Sequence, residues 1–353
     1  MADPVRTAIV LPRGETFSPE AAGAIAMVAR RFAMAVPGSV VLGHGGGECF
    51  PGMAFIEARG AWAVIRALAA LRPRVIDVHQ RPRLALALTY LFPQARVQLF
   101  LHNDPLTMRG LKSAAARALA LKRLHRVVCV SAHLRDRYAT GLCGAPDVLH
   151  NPLTLAELPS PCPKDKLILF VGRVVETKAP DVFIAACAAA LPQLPGWSAR
   201  MIGGDRFGPD SPETCFVAAM RAAAAVAGVE FRGVRAYPEV LETMARAAIV
   251  VVPSRWEEPF GLTALEALAS GAALISTGQG GLHEVSGAAA LYVPPNDPAA
   301  LTNAILHLAR DDAARAALGE AGLAKARNFD TPLLAARLQA LRGETGSLNP
   351  VSK

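Results

Sequence analysis

Nine short apolar runs, separated by Ala- and Leu-rich stretches, constrain the fold of this chain more than any other feature. They are TAIVL (7–11), RVIDV (74–78), RVQLFLH (96–102), RVVCVS (126–131), KLILFVG (166–172), ARMIGG (199–204), VEFRG (229–233), IVVVPS (249–254) and AALIST (272–277). They read as parallel strands, because a strand covered on both faces is apolar throughout instead of alternating. The stretches between them, such as EAAGAIAMVARRFA and PDVFIAACAAALP, are rich in good helix formers. Strand–helix–strand repetition predicts an α/β protein with helices on both faces of parallel sheets. A length of 353 residues suits two domains of roughly 150 residues rather than one core. Four prolines in HNPLTLAELPSPCPKDK (150–166) mark the break. The expected organisation is two tandem Rossmann-like domains, 1–155 and 164–328, with a final helix and tail over 329–353.

Composition narrows the function classes. Apolar residues at 52% and charged ones at 19% belong to globular material. No apolar run approaches about 18 residues, and the first residues lack a signal-peptide pattern, so a cytoplasmic chain is expected. The six cysteines form no C-x-x-C pair, which favours reduced thiols over a disulfide frame or zinc site. Of the net charge of +8, residues 1–150 carry +10, with 19 Lys+Arg against 9 Asp+Glu. No base-reading motif accompanies that charge and aromatics are only 6%, so no nucleic-acid partner is expected. An anionic membrane surface or a phosphorylated acceptor suits such a half, as does a general abundance of Arg.

Three loops in the second half hold the candidate chemistry. FVGRVVETKAPD follows a strand and precedes a helix, where ligands of doubly wound sheets bind. Gly172 would allow a tight turn, and Arg173 and Lys178 would converge on one anion, although either also reads as an ordinary surface cation. In SRWEEPFGLTALEALASG, the N–H groups at the helix start suit a phosphate, and Gly261 would let a ligand reach the backbone. Glu258 lies in that loop, and Glu266, more than one turn into the helix, can accept from a diol such as ribose. STGQGGLHEVSG adds a third, glycine-rich loop.

Arg173 with Lys178, Glu258 and Glu266 at E-x7-E spacing, and GGLHEV resemble the donor domain of family 4 retaining glycosyltransferases of the GT-B fold. The resemblance extends over nearly the whole chain and is most specific over 167–285. It implies an active site in an interdomain cleft and a nucleotide diphosphate sugar, UDP- or GDP-linked, as co-substrate, with no cofactor or metal. Arg173 and Lys178 would bind the diphosphate, Glu258 would sit by the transferred sugar, and Glu266 would hold the ribose. Backbone amides around Phe260, Gly261 and Leu262 would meet sugar and phosphate. Gly23, in LPRGETFSPEAAGA, is the best match to a glycine beside the donor phosphate, and His102 matches a histidine near the transferring sugar.

His79, Arg81, Asn103 and Asp104 are candidate acceptor contacts, since IDVHQRP and LHNDP both end strands. These two motifs resemble a bacterial branch acting in lipopolysaccharide core or exopolysaccharide assembly, with a glycan or glycolipid acceptor. LTMRGLKSAAARALALKRLHR reads as one helix with Arg109, Lys112, Lys122, Arg123 and Arg126 on a broad face, suited to anionic lipid or to plain solvation. Ser131 is the expected N-cap of the next helix.

The implied reaction is glycosyl transfer with retention, by front-face substitution in which the leaving phosphate takes the acceptor proton. Arg173 and Lys178 would take the place of a metal, and no Asp-x-Asp occurs in the sequence. A nucleotide-sugar 2-epimerase of the same architecture and a non-catalytic nucleotide-sugar-binding protein stay open. A dinucleotide oxidoreductase would need G-x-G-x-x-G between a strand and a helix, and GHGGGE precedes no convincing helix.

Overall fold

A computed structural model of the protein describes residues 6–205 and 213–343. The chain forms two compact units, residues 1–153 with 329–353, and 154–328. The final polar tail expected from the sequence lies outside the described residues.

The first unit is built on a seven-stranded sheet. Its strands are β1 (Thr7–Val10), β2 (Ser39–Gly43), β3 (Phe55–Glu57), β4 (Val75–His79), β5 (Arg96–Leu101), β6 (Arg126–Cys129) and β7 (Asp147–Val148). They run parallel in the order β3-β2-β1-β4-β5-β6-β7. The second unit has six parallel strands: β8 (Asp165–Val171), β9 (Ser198–Ile202), β10 (Val229–Phe231), β11 (Ala247–Val252), β12 (Ala273–Ser276) and β13 (Ala290–Tyr292). Their order is β10-β9-β8-β11-β12-β13. In both sheets the first strand pairs with the second and the fourth. This reversal of winding opens a crevice beyond the strand carboxyl ends, the usual ligand position of doubly wound sheets.

All nine expected strands are present, and four more join them. β3, β7 and β13 went unread because they are two- or three-residue edge strands, and β2, an interior strand, because its apolar run VVL is brief. GHGGGE does follow a strand, β2, yet it leads to β3 and not to a helix. On one face of the second sheet the reason for apolar central strands is visible. Ile168, Phe170, Ile249 and Val251 pack into one cluster with Phe183, Leu301 and Ile305 from two covering helices. Full burial of each such side chain contributes about 1.5–3 kcal/mol.

The last helix, Thr331–Leu341, packs on the helix Ala24–Ala35 of the first unit. Arg342, just beyond it, is fully buried and ion-pairs with Asp77 in the middle of β4. Arg31, from the helix Ala24–Ala35, donates to the Pro152 carbonyl at 2.8 Å.

The single basic helix expected over 106–126 is not formed. Gly110 takes a left-handed φ of 104° and breaks the path, and Ser113 then caps a shorter helix, Ala114–Arg123. Arg109 and Lys112 lie in the preceding loop, and Arg126 begins β6 beside Asp147 at 3.6 Å. Of the five cations, Lys122 and Arg123 share the helix. Its Arg117 turns inward and donates to the carbonyls of Leu111, Lys112, Tyr138 and Thr140. Ser131 caps the next helix as expected, accepting from the Leu134 N–H at 3.1 Å.

Candidate functional site

The loops after β8 and β11 meet at the switch point of the second sheet. The first runs from Gly172 through Arg173 to a short 3-10 turn, Glu176–Lys178. The buried Ala179 follows in a left-handed conformation, φ 54°, which costs a non-glycine residue about 1–2 kcal/mol. Gly172 itself extends the strand ladder, its N–H donating to Ile202 at 3.1 Å. Arg173 is exposed at the loop entrance, whereas Lys178 points inward.

Lys178 Nζ lies 2.5 Å from Glu258 Oε1, with side-chain exposures of 23% and 5%. Ser254 Oγ donates to that same oxygen at 2.6 Å. Glu258 Oε2 takes no partner among the described residues. The Lys178 ammonium also stands 5.8 Å from the centre of the Trp256 ring. Losing a charge partner here is costly, since a buried carboxylate without its cation destabilises by roughly 3–5 kcal/mol.

Arg255 fixes the two loops to each other. Its side chain pairs with Asp181 and Asn296 and donates to the Glu176 carbonyl at 2.8 Å. Its backbone N–H donates to Thr177 at 2.9 Å. Arg255 and Ser254 were not singled out in the sequence. Their signal is position alone, immediately after an apolar strand and just before Glu258.

Beyond them the helix Leu262–Ala269 begins, with Gly261 as its N-cap at φ 102°. The missing side chain of Gly261 makes room inside the protein. A Cβ there would come within 2.5 Å of Leu282. Gly280, at φ 61°, is likewise required by the neighbouring loop, since its Cβ would meet the Glu258 carbonyl at 2.5 Å. The Gly281 N–H donates to that carbonyl at 2.7 Å, so the third loop clamps the backbone of Glu258. Phe260 is buried in this junction and Leu262 opens the helix. Glu266, one turn on, is buried and accepts from the Tyr237 hydroxyl at 2.7 Å. Tyr237, from the start of a different helix, was also missed.

In the first unit, His79 ends β4 and His102 follows β5. Their ring centres lie 5.1 Å apart with planes 20° from parallel, and His79 Nδ1 and His102 Nε2 share a hydrogen bond of 2.8 Å. Burial holds His102 down to about 3, against a weaker opposing hydrogen bond to Asn151. Burial, then His102 and Arg342, hold His79 well below the usual imidazole range. Both rings are therefore neutral, and His102 Nε2 is engaged by His79 within the unit. Asn103 is exposed. Asp104 caps a 3-10 turn through the Leu106 N–H at 2.9 Å and ion-pairs with Arg137.

Gly23 caps the helix Ala24–Ala35, but an internal anion already stands there. Glu15 Oε1 accepts from the Ala26 N–H at 2.9 Å, and a Cβ on Gly23 would meet that oxygen at 2.5 Å. Burial raises the Glu15 carboxyl above its ordinary value. Gly23 thus accommodates the Glu15 carboxylate.

Two doubly wound parallel sheets in tandem define the GT-B class, and the solved structures agree. The UDP complex of Anabaena Alr3699/HepE aligns with a TM-score of 0.74 at 17% identity, covering 96% of this chain and 99% of that one. Sucrose-phosphate synthase from Thermosynechococcus elongatus gives 0.77 at 19% identity, covering 96% and 98%. WaaG, a glycosyltransferase involved in lipopolysaccharide biosynthesis, gives 0.67 at 16%, covering 97% and 100%. The model of the glycosyl transferases group 1 family matches residues 165–311, within the second unit. D-inositol 3-phosphate glycosyltransferase of Corynebacterium diphtheriae is 31% identical over 187 residues, 52% of this chain and 44% of that protein. The Corynebacterium glutamicum enzyme of that name is 36% identical over 184 residues, 50% and 43%. The match covers less than half the length of these relatives.

Proposed function

We propose that the protein transfers a glycosyl group from a UDP- or GDP-linked sugar to a hydroxyl of a glycan or glycolipid acceptor. The observation that carries this reading is the Lys178–Glu258–Ser254 cluster at the second switch point, inside the segment matching the family. Lys178 spends one N–H on Glu258 and keeps two for phosphate oxygens. With Arg173 it would stabilise the charge on the departing diphosphate, without a metal and with no cofactor. Ser254 and Lys178 hold Glu258 by Oε1, leaving Oε2 to accept from a sugar hydroxyl. Glu258 thus positions the sugar, and the leaving phosphate takes the acceptor proton on the same face, with retention. Glu266, oriented by Tyr237, would bind the ribose.

For the acceptor and setting the support comes from the first unit. A basic first half fits a lipid-linked, anionic acceptor and the inner face of a membrane, as in lipopolysaccharide or exopolysaccharide assembly. Supporting this, Tyr90, Leu91 and Leu119 are exposed on two packed helices next to Lys122, with Arg123 lying 5.2 Å over the Tyr90 ring. Among the described residues no helix is long and apolar enough to cross a membrane.

Incubation with UDP- and GDP-sugars tests the reading. Slow release of free nucleotide and sugar is expected, and Arg173→Ala should abolish it. Isomerised sugar would instead mean an epimerase, and bound but unaltered donor a binding protein. Unchanged turnover in Arg173→Ala would overturn the clamp.

A further inference from the structure

The first sheet has its own switch point, between β1 and β4, and its electrostatics are unusual. These strands pair in register, Val10 opposite Val78. Arg13 and Arg81 each lie three residues beyond that pair, so their loops leave the sheet at one level. Arg81 is half-buried, and neither guanidinium has an ion-pair or hydrogen-bond partner among the described residues. The charge that acts on Arg81 is that of Arg13: burial, then this repulsion, lowers Arg81 to about 10. The nearest acid along the chain, Glu15, is committed to the Ala26 N–H.

Between β4 and Arg81 stands Gln80, in a left-handed conformation at φ 56°. Its side-chain Oε1 and Nε2 are both shielded from solvent and both lack a partner. A buried amide left unsatisfied is destabilising. The backbone beneath is firmly held, with the Gln80 N–H donating to Phe100 at 2.9 Å. Next, the ten-residue helix Pro82–Leu91 starts with Arg81 as N-cap, no side-chain cap and no acid in its first turn. Two cations that repel each other, an unsatisfied amide and an uncapped helix start are each unfavourable alone. One bound oxyanion relieves the repulsion and supplies acceptors to the guanidinium groups and the amide.

We propose that Arg13, Arg81 and the Gln80 amide form a binding site for an oxyanion group, phosphate or carboxylate, carried by the acceptor. That the anion belongs to an acceptor rests on the transferase reading; that the site binds an anion does not. The occupant is a charged sugar or its phosphate ester rather than a neutral glycan.

The test is calorimetric titration of the full chain, saturated with UDP to fill the second unit, with inorganic phosphate, glucose 6-phosphate, glucuronate and glucose. Phosphate and at least one charged sugar should bind and glucose should not. The two charged sugars distinguish phosphate from carboxylate. Arg81→Met and Arg13→Met should each weaken binding at least about tenfold, the value of a hydrogen bond to a charged group. Without ligand, Arg81→Met should melt no lower than the parent, because it removes a repulsion; a merely structural arginine would lower Tm. Phosphate should raise the Tm of the parent and not of the variant. Absence of anion binding in the UDP-saturated parent, or undiminished binding in both variants, would overturn the proposal. If UDP itself does not bind, the transferase reading falls, and phosphate titration in an Arg173→Met background still decides the anion site.

Discussion

At the switch point of the second sheet, Lys178 is paired with Glu258 and Arg255 with Asp181. At the same topological point of the first sheet, Arg13 acts on Arg81 as a like charge, and a neutral histidine pair ends the neighbouring strands. The acids that could balance the first unit serve its architecture. Glu15 caps a helix, Asp104 caps a turn and holds Arg137, and Asp77 locks Arg342. One topology therefore supports two electrostatic designs. Pairing in the second unit holds the loops in fixed geometry before a ligand arrives. Leaving charges unpaired in the first unit reserves their interaction for a ligand.

The comparison breaks most sharply at Lys178. Lys178→Met strands a carboxylate that is 5% exposed, with Ser254 as its remaining donor. We expect donor hydrolysis to fall about 10²–10³-fold, as when a preorganised charge stabiliser is removed. The second unit should also lose roughly 3–5 kcal/mol in urea melts. Arg81→Met, at the matching place, should leave stability undiminished. Equal losses in the two variants would mean that the two switch points do not differ.

Asp77→Asn probes the first unit where its charges are paired. Arg342 would be left fully buried without its partner, at a cost of roughly 3–5 kcal/mol. Urea melts followed by a probe in each unit should show the first unit unfolding early and the second unmoved.

Acid should separate the units too. A histidine held from its ordinary 6.5 down to about 3 is neutral when folded and takes up a proton when unfolded. Its contribution is full above pH 6.5 and is lost as pH falls toward 3. Each unit of pH in that window removes on the order of 1 kcal/mol per histidine. The double substitution His79→Gln, His102→Gln should flatten this dependence, which denaturant melts from pH 7.5 to 4.5 would record. The smallest effect is expected at Tyr237→Phe. It removes one hydrogen bond to Glu266 and should weaken UDP binding by about 1 kcal/mol, several-fold in Kd.

Much of the fold was legible because a buried parallel strand must be apolar on both faces, as ILFV of β8 and IVVV of β11 are. The short edge strands β3 and β7 were not, since half-solvated edges carry no such signature. Nor was the break at Gly110, where backbone conformation overrode a helical pattern. In the site, local grammar alone marks Glu258, Glu266, Arg173 and Lys178 as polar groups near strand ends. Which of them touch is a matter of three dimensions. Lys178 meets Glu258 across eighty residues, Tyr237 reaches Glu266 from another helix, and Gly280 is a glycine because a second loop lies against it. Sequence by itself determined the kinds of residue set at the carboxyl ends of two sheets. Tertiary structure decided which charges were satisfied and which were left for a ligand, because pairing depends on separations of a few ångströms between segments far apart in the chain.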